Sequence, residues 1–290
     1  MLREGVVQEL YKYLSFCSLC PRRCGVNRLK GERGFCGGGM LIRVASFHPH
    51  FGEEEILSGR RGSGTIFFSG CNMRCVYCQN YTISQLREGI EVTVEDLSGM
   101  MLQLERWGCH NVNLVTPTHF LPQIFEAIAL SREKGLNIPI VYNTSGYEDL
   151  RVLRLLKGAV DIYLPDMRYS REESAQRYSS APLYPSVCRE AIREMFSQVG
   201  GVVLDEERIA RRGLIVRILI IPSLEEEAKE NLRFLAEEVS KDVCVTLLRQ
   251  YRPVYRAQNF PEICGFVSER VYQEVLAYGR SLGLHNFILQ

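Results

Sequence analysis

Six short, β-branched runs alternate with helical segments from Thr65 onward, no second doubly wound half follows them, and the first sixty residues carry cysteines without clear periodicity. Together these observations predict an α/β fold, a partial (β/α)6 TIM-like barrel with a Cys-rich N-terminal extension over 1–60 and the barrel over 61–290. An open doubly wound sheet is the alternative topology, and both place the working residues beyond the C-terminal ends of parallel strands.

Taken in order, residues 6–14 read as a short amphipathic helix. The strands are expected at 65–69, 111–116, 139–143, 160–164, 214–221 and 243–248, several apolar on both faces as buried parallel strands are. The helix after Thr93 carries Leu97, Met101, Leu104 and Trp107 and stops at Gly108, and another runs from about Leu121 to Gly135. Between the fourth and fifth strands lies a long insertion with a helix at 185–198 and a hairpin at 202–210, placed to cover a site. Ser223 with Glu226 three residues on reads as a capping box, and 268–282 supplies the helix after the sixth strand.

Composition narrows the function. The 290 residues are 46% hydrophobic and 24% charged, which excludes disorder, and 35 Lys plus Arg against 34 Asp plus Glu leave a net charge of +1. That balance gives no field to make nucleic acid or an anionic membrane the default partner. Apolar runs such as 214–222, interrupted by Arg217, fall well short of the roughly 20 residues of a spanning helix. The opening Met1-Leu2-Arg3-Glu4-Gly5 lacks the apolar run of an export signal, so a cytoplasmic location is expected.

Eleven cysteines are the anomaly, and the odd number excludes complete internal pairing. Cys17, Cys20, Cys24 and Cys36 form one group, Cys71, Cys75 and Cys78 a second, and Cys109, Cys188, Cys244 and Cys264 stand singly, as small hydrophobes do. The first group has the four ligands and glycine turns of a closed metal site; zinc is the first reading and an auxiliary iron-sulfur cluster the rival. Arg22, Arg23, Arg28 and Arg33 around it either attract an acidic partner or balance thiolate charge. Gly37-Gly38-Gly39 lacks the Lys-Ser/Thr of a phosphate loop and reads as a bend.

The second group is C-x3-C-x2-C directly after the first strand. Three close thiolates leave one iron of a cubane cluster open, since such clusters normally take four; a structural zinc completed by a solitary cysteine is the competing reading. Polar residues gather at the other strand ends: Thr116, Thr118 and His119, then Asn143, Thr144 and Ser145, then Asp166 and Arg168, then Gln250 and Arg252. His119 is a candidate for proton transfer or a histidine satisfied by backbone, and Gln250 and Arg252 either bind an acidic substrate group or cap the barrel.

Gly70, the C-x3-C-x2-C spacing, Tyr77 before the last cysteine and Gln79-Asn80 after it resemble the radical S-adenosylmethionine superfamily. Asn143-Thr-Ser-Gly-Tyr147, Asp161-Ile-Tyr-Leu-Pro-Asp166, Gly213-Leu-Ile-Val-Arg217, Gln250-Tyr-Arg-Pro253 and the N-terminal Cys-Ser-Leu-Cys-Pro-Arg-Arg-Cys-Gly block extend the likeness, over nearly the whole chain, to the PflX-type relatives of pyruvate formate-lyase activating enzyme. The resemblance implies a [4Fe-4S] cluster on Cys71, Cys75 and Cys78, with S-adenosylmethionine chelating the open iron and Tyr77 lying against its adenine. It further implies reductive cleavage to a 5'-deoxyadenosyl radical that abstracts hydrogen, an electron donor such as flavodoxin or ferredoxin, and a glycyl radical enzyme or another protein as substrate.

Two departures stand out. Where the superfamily carries Gly-Gly-Glu, this sequence has Thr116-Pro117-Thr118, whose hydroxyls offer oxygens without a carboxylate, and Asp166-Met167-Arg168 replaces an Asp-x-Lys that contacts the cofactor. Asn143 and Ser145 are candidates for the cofactor's ribose or carboxylate. A non-catalytic iron-sulfur electron-transfer protein and a zinc-stabilised binding protein are the alternative functions.

Overall fold

A computed structural model describes residues 4–289; Met1, Leu2 and Arg3, on which the reading of the opening partly rests, lie outside the described residues, as does Gln290. In chain order the elements are α1 (Glu4–Lys12), β1 (Ile42–His50), α2 (Glu55–Ser58), β2 (Ser63–Phe68), α3 (Tyr81–Ser84), β3 (Ile90–Val92), α4 (Val94–Arg106), β4 (Val112–Val115), α5 (Leu121–Glu133) and β5 (Ile140–Thr144). Then come α6 (Leu150–Leu155), β6 (Ile162–Pro165), α7 (Glu172–Ser179), α8 (Tyr184–Val199), β7 (Val203–Leu204), β8 (Ala210–Leu219), α9 (Glu225–Phe234), β9 (Cys244–Leu248), α10 (Glu269–Ser281) and β10 (Phe287–Leu289).

One sheet runs β10-β9-β8-β6-β5-β4-β2-β1-β3, with β7 paired to the start of β8. From β2 to β10 along this path every neighbour pair is parallel, and the sheet does not close. It is a partial barrel of the expected kind. The six expected strands are β2, β4, β5, β6, β8 and β9, and the insertion between β6 and β8 holds α7, α8 and the β7–β8 hairpin.

Side chains alternate between two environments, as strand geometry requires. Ile66, Phe68, Val112, Leu114 and Ile140 pack under α4 and α5, while Tyr142, Tyr163, Leu214 and Val216 pack with residues of α6 and α8. On the other face Val141, Ile162, Leu164 and Ile215 surround Leu57 of α2. Asn111 donates through Nδ2 to the Leu57 carbonyl at 2.9 Å, so the short β1–β2 connection is tied into that interior face.

Three strands escaped the sequence reading. β1 lies within the first sixty residues and pairs antiparallel with both β2 and β3, so the extension contributes to the same sheet as the barrel. Its solvent-facing positions are polar and it contains Pro49, which hides a strand pattern. The third, β10, is only three residues long. The expected Ser223 capping box does not form: α9 begins at Glu225, and Ser223 sits at φ 65° with its N–H donating to the Glu225 carboxylate at 3.1 Å. A capping box does open α4, where Thr93 and Asp96 exchange side-chain and backbone bonds. Among the described residues no helix is long and apolar enough to cross a membrane.

Candidate active site and metal centre

The chain leaves β2 through Gly70, at φ 88°. A Cβ there would stand 2.4 Å from the carbonyl oxygen of Cys36, so glycine alone fits both the turn and the neighbour. The loop that follows is pinned to the end of α7: Arg74 N–H donates to the Ser179 carbonyl at 2.9 Å and Val76 N–H to that of Tyr178 at 2.8 Å. Buried Asn72 adds a bond from Nδ2 to the Tyr147 carbonyl at 2.8 Å.

All three thiols on this loop are free, and each has a hydrogen-bonding group at its sulfur. The Met73 N–H reaches Cys71 Sγ at 3.4 Å, Arg168 Nη1 and Ser179 Oγ reach Cys75 Sγ at 3.3 and 3.0 Å, and Ser84 Oγ lies 3.1 Å from Cys78 Sγ. Burial pushes the Cys71 thiol up to about 12 and the Cys78 thiol upward, with Cys75 adding in the same direction. A thiolate here therefore needs a cation beside it. The three sulfurs are free and each has a hydrogen-bonding group beside it, a donor set that suits the thiolate ligands of a cubane cluster, whose cysteines each meet a different iron.

Arg168 begins a chain of partly buried charges. Its Nη2 donates to Asp166 Oδ2 at 2.6 Å, and Asp166 Oδ1 accepts from Arg217 Nε at 2.9 Å. Arg217 continues through Nη2 to Asn143 Oδ1 at 2.5 Å and through Nη1 to Glu53 Oε2 at 3.4 Å. Burial pushes the Asp166 carboxyl up, but the guanidiniums of Arg217 and Arg168 outweigh it and hold the group below the usual range. Glu53 goes the other way: burial, with neighbouring Glu54 and Asp166, raises it to about 7 despite Arg217. The network joins the cysteine loop, β5, β6, β8 and the β1–β2 connection across one face of the sheet.

Above it opens a cavity lined by Tyr77, Gln79, Asp166, Arg168, Gln250 and Arg252, with Cys78, Asn80, Leu219, Leu248 and Tyr251 completing its wall. Tyr77 is buried, its ring meets Tyr251 edge-on at 5.5 Å, and its hydroxyl lies 2.6 Å from that of Tyr169, which lies 2.7 Å from Ser179 Oγ. Tyr77, Asp166, Arg168, Gln250 and Arg252 are thus brought together with the cysteine loop. Asn143 joins through Arg217.

The other expected contacts lie elsewhere. Thr118 points its hydroxyl into buried Glu148, 2.6 Å from Oε1, which also accepts from Thr144 Oγ1, while the Tyr142 hydroxyl donates to Oε2 at 3.2 Å. Thr116, at φ 61°, shapes a turn whose N–H donates to the Asn143 carbonyl at 2.9 Å, and Ser145 offers its carbonyl to the Tyr184 hydroxyl at 2.9 Å. His119 is buried, and its Nε2 donates to the Ser69 carbonyl at 2.8 Å. Burial drives its imidazole down to about 4 against the pull of that bond, so it is neutral at pH 7 and outside the cavity wall. It is a core histidine held by backbone through Nε2, while its buried Nδ1 has no hydrogen-bond partner among the described residues.

Sequence reasoning missed Arg217 and Glu53 as site members and Glu148 as a buried acid. An arginine interrupting an apolar β-strand was the signal for Arg217, because a charge on a buried strand demands partners. Nothing local announces Glu53 among its neighbouring glutamates.

The first cysteine group packs directly on this loop. Cys17, Cys20 and Cys36 are buried and Cys24 exposed, and their segment is folded by bonds such as Cys17 N–H to the Val26 carbonyl at 2.9 Å. The surrounding arginines are committed internally: Arg28, fully buried, donates to the carbonyls of His119 and Gly39 at 2.6 and 2.5 Å, Arg23 pairs with Asp149, and Arg33 with Glu91. Cys109, Cys188 and Cys244 are buried singly and Cys264 is exposed.

Residues 65–195 match the family model of the radical SAM superfamily. An uncharacterized protein of Methanocaldococcus jannaschii is 31% identical over 271 residues, spanning 90% of this chain and 72% of that protein. A second from the same organism is 24% identical over 271 residues, 84% of this chain and 73% of its own. In fold, the chain is similar to Streptococcus suis SuiB bound to S-adenosylmethionine, with a TM-score of 0.53 and 12% identity over 76% of this chain and 48% of that one. The chain thus spans about half the length of SuiB, and that likeness concerns the fold.

Proposed function

This chain belongs to the radical SAM superfamily, and from that premise we propose that it cleaves S-adenosylmethionine reductively and abstracts hydrogen from a polypeptide substrate, as an activase of a glycyl radical enzyme does. Membership implies an enzyme that uses a [4Fe-4S] cluster and S-adenosylmethionine. The observation that carries the residue assignment is the placement of Cys71, Cys75 and Cys78, each with a hydrogen-bonding partner, on one loop at the C-terminal end of β2 beside the polar cavity. Held by Cys71, Cys75 and Cys78, a [4Fe-4S] cluster would supply the electron for reductive carbon–sulfur cleavage of S-adenosylmethionine, the chemistry from which hydrogen abstraction would follow.

The protein's own residues do the rest. Cys71, Cys75 and Cys78 hold the cluster, and Arg168 offsets thiolate charge at Cys75 while keeping Asp166 ionised at the mouth. Tyr77 presents an aromatic wall to the adenine. Gln79, Asn80 and Gln250 are amides able to pair with main-chain groups of an extended loop, which is the feature favouring a polypeptide substrate. Arg252 adds a cation for an acidic group on it. A flavodoxin or ferredoxin fits as electron donor, and a reducing compartment such as the cytoplasm keeps the thiols available. For Cys17, Cys20, Cys24 and Cys36 the donor set suits zinc or a second cluster, zinc requiring the sulfurs to turn onto a common point.

Anaerobic reconstitution with iron and sulfide, then dithionite and S-adenosylmethionine, tests the reading. The native chain is expected to yield 5'-deoxyadenosine and methionine, and Cys75→Ala neither. Equal yield from both chains, or none from the native one, overturns it in favour of an electron-transfer or zinc-stabilised binding protein.

A further inference from the structure

The two cysteine groups are stitched together by reciprocal arginines. Arg22, between Cys20 and Cys24, donates through Nε to the Asn72 carbonyl, one residue after Cys71, and through Nη2 to the Ser180 carbonyl. Arg74, between Cys71 and Cys75, donates through Nη2 to the Phe35 carbonyl, one residue before Cys36. Its Nη1 also reaches the Cys71 and Met73 carbonyls at 3.3 and 3.4 Å. Both guanidiniums lie over the Phe35 ring, 3.3 and 4.1 Å from its centroid, and Arg87 adds a second donor to the Phe35 carbonyl at 3.3 Å. The Cys36 carbonyl meanwhile occupies the space that a side chain at Gly70 would need.

We propose that Arg22, Arg74 and Phe35 form a latch through which loading of the first cysteine group holds the Cys71–Cys78 loop in its cluster-binding shape. The latch rests on the cluster assignment above and on a metal at Cys17, Cys20, Cys24 and Cys36. Phe35 and Cys36 are neighbours in sequence, so metal bound at Cys36 fixes the ring and carbonyl on which Arg74 is seated. Arg22 lies within the turn that Cys20 and Cys24 close, so metal there fixes the guanidinium that holds the Asn72 carbonyl. Loss of the first metal frees both ends, and the coupling is reciprocal because it is a free energy shared by two sites. Arg22 and Arg74 are positioning residues: their guanidiniums bond main-chain carbonyls beside the ligands.

The test follows the second site alone, through the fraction of reduced protein whose electron paramagnetic resonance signal changes when S-adenosylmethionine is added. The chain is reconstituted with zinc, iron and sulfide, and the decay of that fraction is timed in the presence of EDTA. Arg22→Gln and Cys24→Ser are each expected to speed the loss about 10–100-fold, as removal of groups that orient metal ligands does. The double variant is expected to be no faster than the faster single one, because both act through one latch. Phe35→Leu, which keeps an apolar filler and removes the ring face, is expected to behave like Arg22→Gln, while Arg33→Gln, on the exposed pair with Glu91, keeps the native rate. Native-like retention in Cys24→Ser, or in both Arg22→Gln and Phe35→Leu, or multiplied effects in the double variant, overturns the latch. A native chain with no responsive signal instead overturns the cluster assignment on which the latch stands.

Discussion

Replacing Glu148 with glutamine is expected to change how stability depends on pH. The carboxyl is buried, with Thr118, Thr144 and Tyr142 hydroxyls bonded to it. Burial raises it from 4.5 to about 7 even though those hydroxyls pull it down. Between these values the folded protein keeps a proton that the unfolded chain has released, so the contribution is fully present below about 4.5 and lost as pH rises through 7. At about 1.36 kcal/mol per pKa unit, the native chain should lose roughly 2–3 kcal/mol from this group between pH 5 and pH 8. Glu148→Gln has nothing to ionise and avoids that loss. Glu53, raised in the same direction, is common to both proteins and cancels in their difference. Urea unfolding of both chains at intervals from pH 5 to pH 8 reads the effect. Curves that stay parallel across the range refute the argument that burial outweighs the three hydroxyls.

Four further outcomes follow from the same geometry. Arg217→Gln leaves the partly buried Asp166 and Glu53 with one cation fewer and should cost about 2–4 kcal/mol, more than the roughly 1.5–3 of Arg168→Gln, where Asp166 keeps Arg217; urea unfolding in the reverse order contradicts the network. Gly70→Ala should abolish iron retention at the second group, because its Cβ meets the Cys36 carbonyl at a positive φ; an iron content equal to the native one counts against the contact. Tyr77→Phe should lower stability by about 1 kcal/mol through the lost Tyr169 bond with little change in the KM for S-adenosylmethionine, whereas Tyr77→Ala should raise that KM at least tenfold; equal KM values for the two refute an adenine wall. His119→Gln should leave the pH profile of 5'-deoxyadenosine formation unshifted, and a displaced profile would restore His119 to the chemistry.

Much of the barrel was legible because parallel strands buried on both faces are rich in apolar and β-branched residues, as most positions of β2, β4, β5, β6 and β9 and the 213–219 half of β8 are. β1 was not, since only positions near its start are buried and its pattern fades toward His50. The cysteine loop was visible from its spacing after a strand, but spacing left zinc and a cluster both open, and the resemblance to the radical S-adenosylmethionine superfamily is what favoured the cluster. Strand-end position also found Asp166 and Arg168, but it could not separate them from Thr118 and His119, because only the fold tells which polar group turns outward to the cavity and which turns into the core. Glu148 lies two residues after Gly146, whose Cβ would meet the Asp166 carbonyl and Cys188 Sγ at 2.7 Å; the tight turn at Gly146 precedes the inward-facing acid. Arg22 and Arg74 were visible as charges near thiols, yet their crossed reach depends on two loops meeting far apart in sequence.

The three-thiolate cluster with an open iron is tested most directly by the electron paramagnetic resonance spectrum of the dithionite-reduced chain before and after S-adenosylmethionine. The account predicts a signal that changes on addition in the native protein and is missing from Cys75→Ala. A reduced signal indifferent to S-adenosylmethionine, or one that survives Cys75→Ala with its response intact, contradicts it.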